Sequence, residues 1–578
     1  MAVVDPRHGV GDSRRAEAEA VLTCADSCRH ARTPVRAGAP HVPPPYRNPS
    51  SPDARACGGT PAGQGKPPGD VGCCHQAVER AAGWIGEARL IAIRGVVDSV
   101  HRRTTIRCSS RSWRASPMSN PMGSDVGAAR LDRRAVLRNS AAGAALAISG
   151  LPAPTAGVEA AVGAPARLNE TERRAQAVSG AGFSEARLGR MREVMAGHVE
   201  RGVVPGMVTL VSRRGEVHAE AIGETAFDGG GPMRRDTIFR IASVTKPITA
   251  AAAMILVEEC VLRLDEPVDN LLPELADRQV LKAIDGPVDD TVPANRPITL
   301  RDVLTFRLGY GAIFDQSPFA QAFTEAGVAP GPRLPGYSPD DYLKRLGGLP
   351  LAHQPGERWL YNNGSDVLGI LIARATGQSL GTFLRERIFD PLGMKDTGFH
   401  VPAEKQDRLP TAYWTDFETG RFGEFDAPAE GSRFALPPPF ESGAGGLVST
   451  ADDLLAFGRM MLDNGTHEGQ RILSRASVGL MTMDHLTPEQ KAASAAQFFP
   501  GFFDNRGWGF GVSVYTQRTD LSSVPGRFGW DGGYGTSWYV DPSEELIGIL
   551  LTQRLWDGGV EVTVLPDFWT TTYAAIED

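Results

Sequence analysis

Strand-like runs stand at both ends of a long helical stretch, and this constrains the fold more than anything else in the 578-residue chain. Near the front, "MVTLVSRRGEVHAEAIG" (Met207 to Gly223) reads as two strands turning at Arg214-Gly215, a hairpin. Near the end, "GWGFGVSVYTQ", "GRFGWDGG", "GTSWYVDP" and "ELIGILLTQ" read as strands again. Between them "LRDVLTF", "YLKRLGG", "DVLGILIARATG", "LGTFLRERIF" and "STADDLLAFGRMMLDNG" read as helices separated by loops, and "VLPDFWTTTYAAIED" closes the chain as a helix. The expected fold is α+β, an antiparallel sheet built from both chain ends with helices on its faces and a mostly helical second lobe. This domain is expected to span 185–578, with its site in the cleft between the lobes.

What precedes it has a different composition. Residues 1–117 are rich in Pro, Gly, Ala and Arg, hold six of the seven cysteines, and show no helical or strand period. Such a stretch cannot bury a core and is expected to be disordered, as translated sequence upstream of a true start at Met118 or Met122. Residues 118–166 then resemble a twin-arginine export signal: Arg133-Arg134, an Ala/Gly-rich run from Ala141 to Leu151, and small residues around Ala164-Pro165-Ala166. A linker, 167–184, leads into the domain. The expectation is a periplasmic or secreted protein that meets the export machinery only transiently. The net charge of −8 gives no basic excess for nucleic acid. With one cysteine, Cys260, after residue 117, the domain has no disulfide framework, and Cys260 in an apolar helix reads as a core residue.

The chemistry is concentrated in "FRIASVTKPITAAAAMILVEE" (Phe239 to Glu259). The chain holds 53 arginines and only seven lysines, and one of those lysines, Lys246, stands three residues after a serine, Ser243. On a helix, i and i+3 share a face with Cβ atoms about 5–6 Å apart, so Ser243 Oγ and Lys246 Nζ can meet. The positive end of the helix dipole favours an alkoxide on Ser243 and disfavours an ammonium on Lys246. An unperturbed lysine costs about 4–5 kcal/mol to deprotonate at pH 7, which burial and the dipole must offset. Arginine stays protonated and cannot take this part.

Ser-x-x-Lys alone is a weak pattern, and two further stretches strengthen it. "RWLYNNGSD" places Tyr361 and Asn363 as Tyr-x-Asn before a helix, a phenol to share a proton relay with Lys246 and an amide to bond lysine or substrate. "RFGWDGGYGTSWYVDP" places Gly532 and Gly533 on a strand, where a substrate can lie against the edge and the Gly533 N–H can pair with that of Ser243 as an oxyanion hole.

These motifs, in this order, resemble the penicillin-recognising serine hydrolases: class C β-lactamases, D-alanyl-D-alanine carboxypeptidases and family VIII carboxylesterases. "PGERWLYNNGSDVLGILIARATG", "RIFDPLGMKDTGF" and "GGLVSTADDLLAFGRMML" extend the resemblance over roughly Phe183 to the C-terminus. It implies a helical lobe against a five-stranded antiparallel sheet and an acyl-enzyme mechanism. It further implies Ser243 as nucleophile, Lys246 as its base, Tyr361 as second acid/base, Asn363 as an orienting contact, and the N–H groups of Ser243 and Gly533 as oxyanion donors. The third motif departs from the Lys-Thr-Gly of lactamases and peptidases: Trp530-Asp531-Gly532 stands there, and no Lys-Thr-Gly occurs in the chain. The cation for a substrate carboxylate is gone, and a tryptophan here resembles the esterase branch.

The expected activity is therefore cleavage of small carboxylic esters without cofactor or metal; the histidines are scattered, without ligand spacing. A β-lactamase or D-peptidase using another cation, such as Arg307 in "LTFRLGYG", is the second reading, though that stretch reads equally as a structural turn. A catalytically silent binding protein on the same fold is the third. "GQSLG" (Gly377 to Gly381) matches a nucleophile elbow, but a helix precedes it where a strand is needed; Gly377 reads as a helix C-cap and Ser379 as the next N-cap.

Overall fold

The computed structural model describes residues 180–416, 419–428, 431–494 and 501–578. The expected arm, the export signal and residues 167–179 of the linker lie outside the described residues.

Helix α1 (Glu185–Glu200) leads into the hairpin β1 (Gly206–Arg213) and β2 (Glu216–Gly223). The turn falls at Arg214 and Gly215, both at positive φ (50° and 86°), the twist that matches tight hairpins. The chain then crosses into α2 (Thr245–Glu258), α3 (Asn363–Thr376) and α4 (Ala451–Leu462) before returning as β3 (Arg506–Trp508), β4 (Ser513–Tyr515), β5 (Phe528–Gly532), β6 (Thr536–Asp541) and β7 (Leu546–Leu551). Helix α5 (Leu565–Ala574) ends the fold. The sheet order is β3-β4-β5-β6-β7-β1-β2, antiparallel throughout.

The sheet thus has seven strands, not the expected five. "GWGFGVSVYTQ" reads as one run but makes two strands, because Gly511 adopts φ 71° and the Gly509 N–H bonds the Val512 carbonyl, turning the chain back on itself.

Period-two alternation divides the core. Along β1, Met207 and Val211 face α1 and α5, packing with Met191, Met195, Phe568 and Trp569. Val208 and Leu210 face the opposite way, into the larger core shared with α2 and α4. Helix α2 is buried from Thr245 through Leu256, so it has no solvent face: it is the central pillar of the helical lobe. That burial brings its first turn, with Lys246, into a dry environment. Cys260 is not a core residue: it follows α2 at φ 59° and is exposed, because the helix ends before its apolar face would carry the cysteine inward.

Candidate active site

Ser243 sits in a 3₁₀ turn, Ala242–Val244, directly ahead of α2. The approach is tightly held. Arg240, fully buried, pairs with Asp426 and donates to the Pro410 carbonyl (2.6 Å) and Gln553 Oε1 (2.9 Å). The Ile241 carbonyl accepts from Thr536 Oγ1 at 3.1 Å. Ala242, a non-glycine at φ 44°, then turns the chain so that Ser243 faces the cleft. Left-handed backbone costs such a residue about 1–2 kcal/mol, and the surrounding bonds hold it there.

Lys246 Nζ lies 2.9 Å from Ser243 Oγ, 2.8 Å from Asn362 Oδ1 and 2.7 Å from the Ala444 carbonyl. Its side chain is fully buried, and burial pushes its pKa down to about 7 against a partial opposing pull from Asp366. Two of the three partners can only accept. A neutral amine therefore spends its two N–H groups on Asn362 and Ala444, and its lone pair is left for the Ser243 hydroxyl.

Tyr361 completes the cluster. Its hydroxyl is hydrogen-bonded to Ser243, and Trp530 Nε1 donates to it at 2.6 Å. Burial raises the phenol well above its ordinary pKa, while both hydrogen bonds oppose that rise. An indole N–H is a donor only, so Tyr361 accepts from Trp530, and the Tyr361 and Ser243 hydroxyls share a second hydrogen bond. The result is a connected chain that runs from Trp530 through Tyr361 and Ser243 to Lys246. The Lys246 nitrogen also sits 4.6 Å from the centre of the Tyr361 ring.

The cleft has a volume of about 490 Å³, and Ser243, Tyr361, Asn362, Gly533, Trp414 and Trp556 are among the residues that line it. Three expectations need correction. Asn363 is not the lysine's partner: it is 1% exposed, and its amide nitrogen donates to the Val328 carbonyl (2.8 Å) and the Tyr342 hydroxyl (2.7 Å). Asn362, at φ 89° and ψ −65°, makes a turn that puts its own amide on Lys246 and sends the next side chain into the core. Trp530 does not line the cleft but stands behind Tyr361, 2% exposed, edge-on to Trp508 with centroids 4.8 Å apart. Asp531 is among the cleft-lining residues, but its carboxylate accepts from Ser537 (2.6 Å) and Tyr539 (3.0 Å).

Gly532 serves a different need from the one expected. A Cβ there would overlap Thr536 Oγ1 and the Ile241 carbonyl, whereas one at Gly533 would meet open space. Gly532 thus lets β5 close on the turn that carries Ser243, and Gly533 is the glycine at the cleft. Gly532→Ala should cost about 1–3 kcal/mol by overpacking and displace Ser243. A melting curve and an assay should show a lower Tm together with a fall in turnover out of proportion to the folded fraction.

The relay makes a second prediction. Trp530→Phe keeps the aromatic packing but deletes the donor to Tyr361. One neutral hydrogen bond is worth about 0.5–1.5 kcal/mol, so kcat should fall roughly two- to tenfold with KM little changed. A change confined to KM would mean that Trp530 acts on substrate binding instead.

The alternative cation does not reach the site: Arg307 Nε donates to Thr305 Oγ1 at 2.9 Å, and the residue is not part of the cleft wall. Gly377 caps α3 at φ 70°, and Ser379 Oγ accepts from the Thr382 N–H as an N-cap, far from an elbow geometry. Among the described residues no cluster of His, Cys, Asp or Glu is arranged to hold a metal ion. Beyond the motif residues, sequence reading missed Asn362, the Ala444 carbonyl and Asp366, which accepts from Ser442 Oγ (2.6 Å) and the Ala444 N–H (3.1 Å). The signal for Asn362 was in "YNNG": asparagine is the side chain that best tolerates positive φ outside glycine.

Residues 191–561 match the Beta-lactamase family model. An uncharacterized protein of Mycobacterium tuberculosis is 41% identical over 65% of this chain and 96% of its own length. Esterase EstB of Burkholderia gladioli is 32% identical over 62% of this chain and 88% of its own. Among solved structures, EstCE1, described as a hydrolase with promiscuous acyltransferase activity, superposes with a TM-score of 0.55 at 25% identity, covering 67% of this chain and 99% of that one. With the fold, the Ser-x-x-Lys turn and these likenesses together, the chain belongs to the beta-lactamase family of serine hydrolases.

Proposed function

We propose that this chain hydrolyses carboxylic esters through an acyl-enzyme on Ser243. The observation that carries the reading is the buried Lys246 nitrogen, 2.9 Å from Ser243 Oγ and within hydrogen-bond distance of Asn362 Oδ1 and the Ala444 carbonyl. In this account Lys246 takes the serine proton as Oγ attacks the ester carbonyl. The N–H groups of Ser243 and Gly533 receive the developing oxyanion. Tyr361 passes a proton to the departing alkoxide, and the same groups, in reverse, activate water against the acyl-enzyme. A silent binding protein has no need to bury a lysine at the cost of its charge.

Ester is preferred over lactam for a reason that the tryptophan supplies. The N–H of Trp530 is spent on Tyr361, and the carboxylate of Asp531 accepts from Ser537. A lactam carboxylate held near this strand finds no cation there, and charge-assisted bonds of that kind are worth about 1.5–3 kcal/mol. The esterase description of the Burkholderia gladioli relative supports the same choice. Kinetics on a short acyl ester and a cephalosporin test it. The expected kcat/KM favours the ester by at least roughly a hundredfold, combining the missing cation with the poorer amide leaving group. Comparable values for the two would favour a lactamase.

A further inference from the structure

Resting on the ester-hydrolase reading, we propose that Arg333 makes the cleft selective for esters that carry a carboxylate, and that it receives that carboxylate. Arg333 belongs to the Gly/Pro-rich segment 327–337, which forms one wall of the cleft that also holds Ser243. Its guanidinium carbon lies 5.8 Å from the centre of the Trp414 ring, which also lines the cleft, and 5.5 Å from that of Phe425. A second arginine, Arg433, lies 5.0 Å from the same Phe425 ring.

Among the described residues, no carboxylate stands within 4.0 Å of either guanidinium. Several described acids of this region have other partners. Asp426 pairs with buried Arg240 and accepts from Ser432 Oγ and the Arg433 backbone N–H. Asp366 serves Ser442 and Ala444, and Asp531 serves Ser537 and Tyr539. Glu424 alternates with Phe425 along its strand and so faces the other side of the hairpin, beside Tyr413. Two like charges gathered at one ring, with no described carboxylate paired to either, favour an anion at one end of a largely apolar cleft.

The geometry suits a carboxylate. A guanidinium seated on aromatic faces uses its planar face for the rings, while its N–H edge stays available for bidentate bonding in the plane. The rigid lactam carboxylate discussed above is directed to the β5 edge, whereas a flexible ester can extend a carboxylate to Arg333.

The test compares two matched pairs by pH-stat. Monoethyl adipate against ethyl hexanoate places the carboxylate on the acyl side; γ-acetoxybutyrate against butyl acetate places it on the alcohol side. For at least one pair, the ratio of kcat/KM, anionic over neutral, should fall roughly tenfold to a hundredfold in Arg333→Gln, the range of one charge-assisted bond. Arg333→Lys should recover most of that ratio, and the pair that responds identifies the side. Wild-type turnover of the neutral esters with both ratios unmoved in Arg333→Gln would overturn this proposal alone. No turnover of any of the four would overturn the ester reading and, with it, this one.

Discussion

Ser243→Ala should lower kcat for ester hydrolysis by roughly 10⁴–10⁶-fold, the loss expected when a covalent nucleophile is removed and only binding and oxyanion contacts persist. The same change should leave the fold standing. Ser243 lies in a short turn whose position is set by Arg240, Ile241 and Thr536, none of which uses its hydroxyl. Lys246 keeps Asn362 and the Ala444 carbonyl. Circular dichroism and Tm should therefore match the parent. Ser379→Ala, by contrast, removes an N-cap worth about 0.5–2 kcal/mol and should retain most activity. Reversal of the two activities would replace Ser243 by Ser379 as nucleophile.

Lys246→Arg should be nearly as damaging as Lys246→Ala, each losing roughly 10²–10⁴-fold in kcat, the usual contribution of a general base. Arginine keeps the charge and much of the length, but it stays protonated and has no lone pair for the Ser243 hydroxyl. The pH profile carries the same claim. Burial lowers the folded-state pKa of Lys246 to about 7. The productive form is the neutral one, so kcat/KM should rise with pH through a limb near 7 and level off above it. A profile flat from mildly acidic to mildly basic pH, or near-normal turnover by Lys246→Arg, would remove the lysine from proton transfer.

Legibility in the sequence followed the range of the interaction. The Ser243–Lys246 contact depends on one helical turn, so the spacing suggested it and the Tyr-x-Asn and glycine stretches strengthened it. Hairpin β1–β2 was equally local, with Arg214-Gly215 supplying both positive φ angles. The strand runs in the sequence number six against the five that the resemblance implied, and one glycine, Gly511, turns an apparently continuous run into two to give seven. Asn363 was chosen over Asn362 because the Tyr-x-Asn spacing counts residues along the chain, whereas positive φ at 362 decides which side chain reaches Lys246. Trp530 was placed correctly on β5, but strand alternation gives a face and not a partner. Its bond to Tyr361 joins residues 169 positions apart, and only tertiary packing specifies it. Arg333 gave no signal, since a cation in a Gly/Pro-rich loop becomes informative only once its neighbours prove to be aromatic rings rather than acids.

The central claim is that Ser243 is the nucleophile, and a covalent probe meets it directly. The protein is incubated with a p-nitrophenyl alkylphosphonate, digested and mapped by mass spectrometry. The account predicts one phosphonyl group per chain, on the peptide that carries Ser243, with its formation abolished in Ser243→Ala and strongly slowed in Lys246→Arg. No adduct on the folded protein, or an adduct on any other serine with Ser243 unmodified, would contradict it.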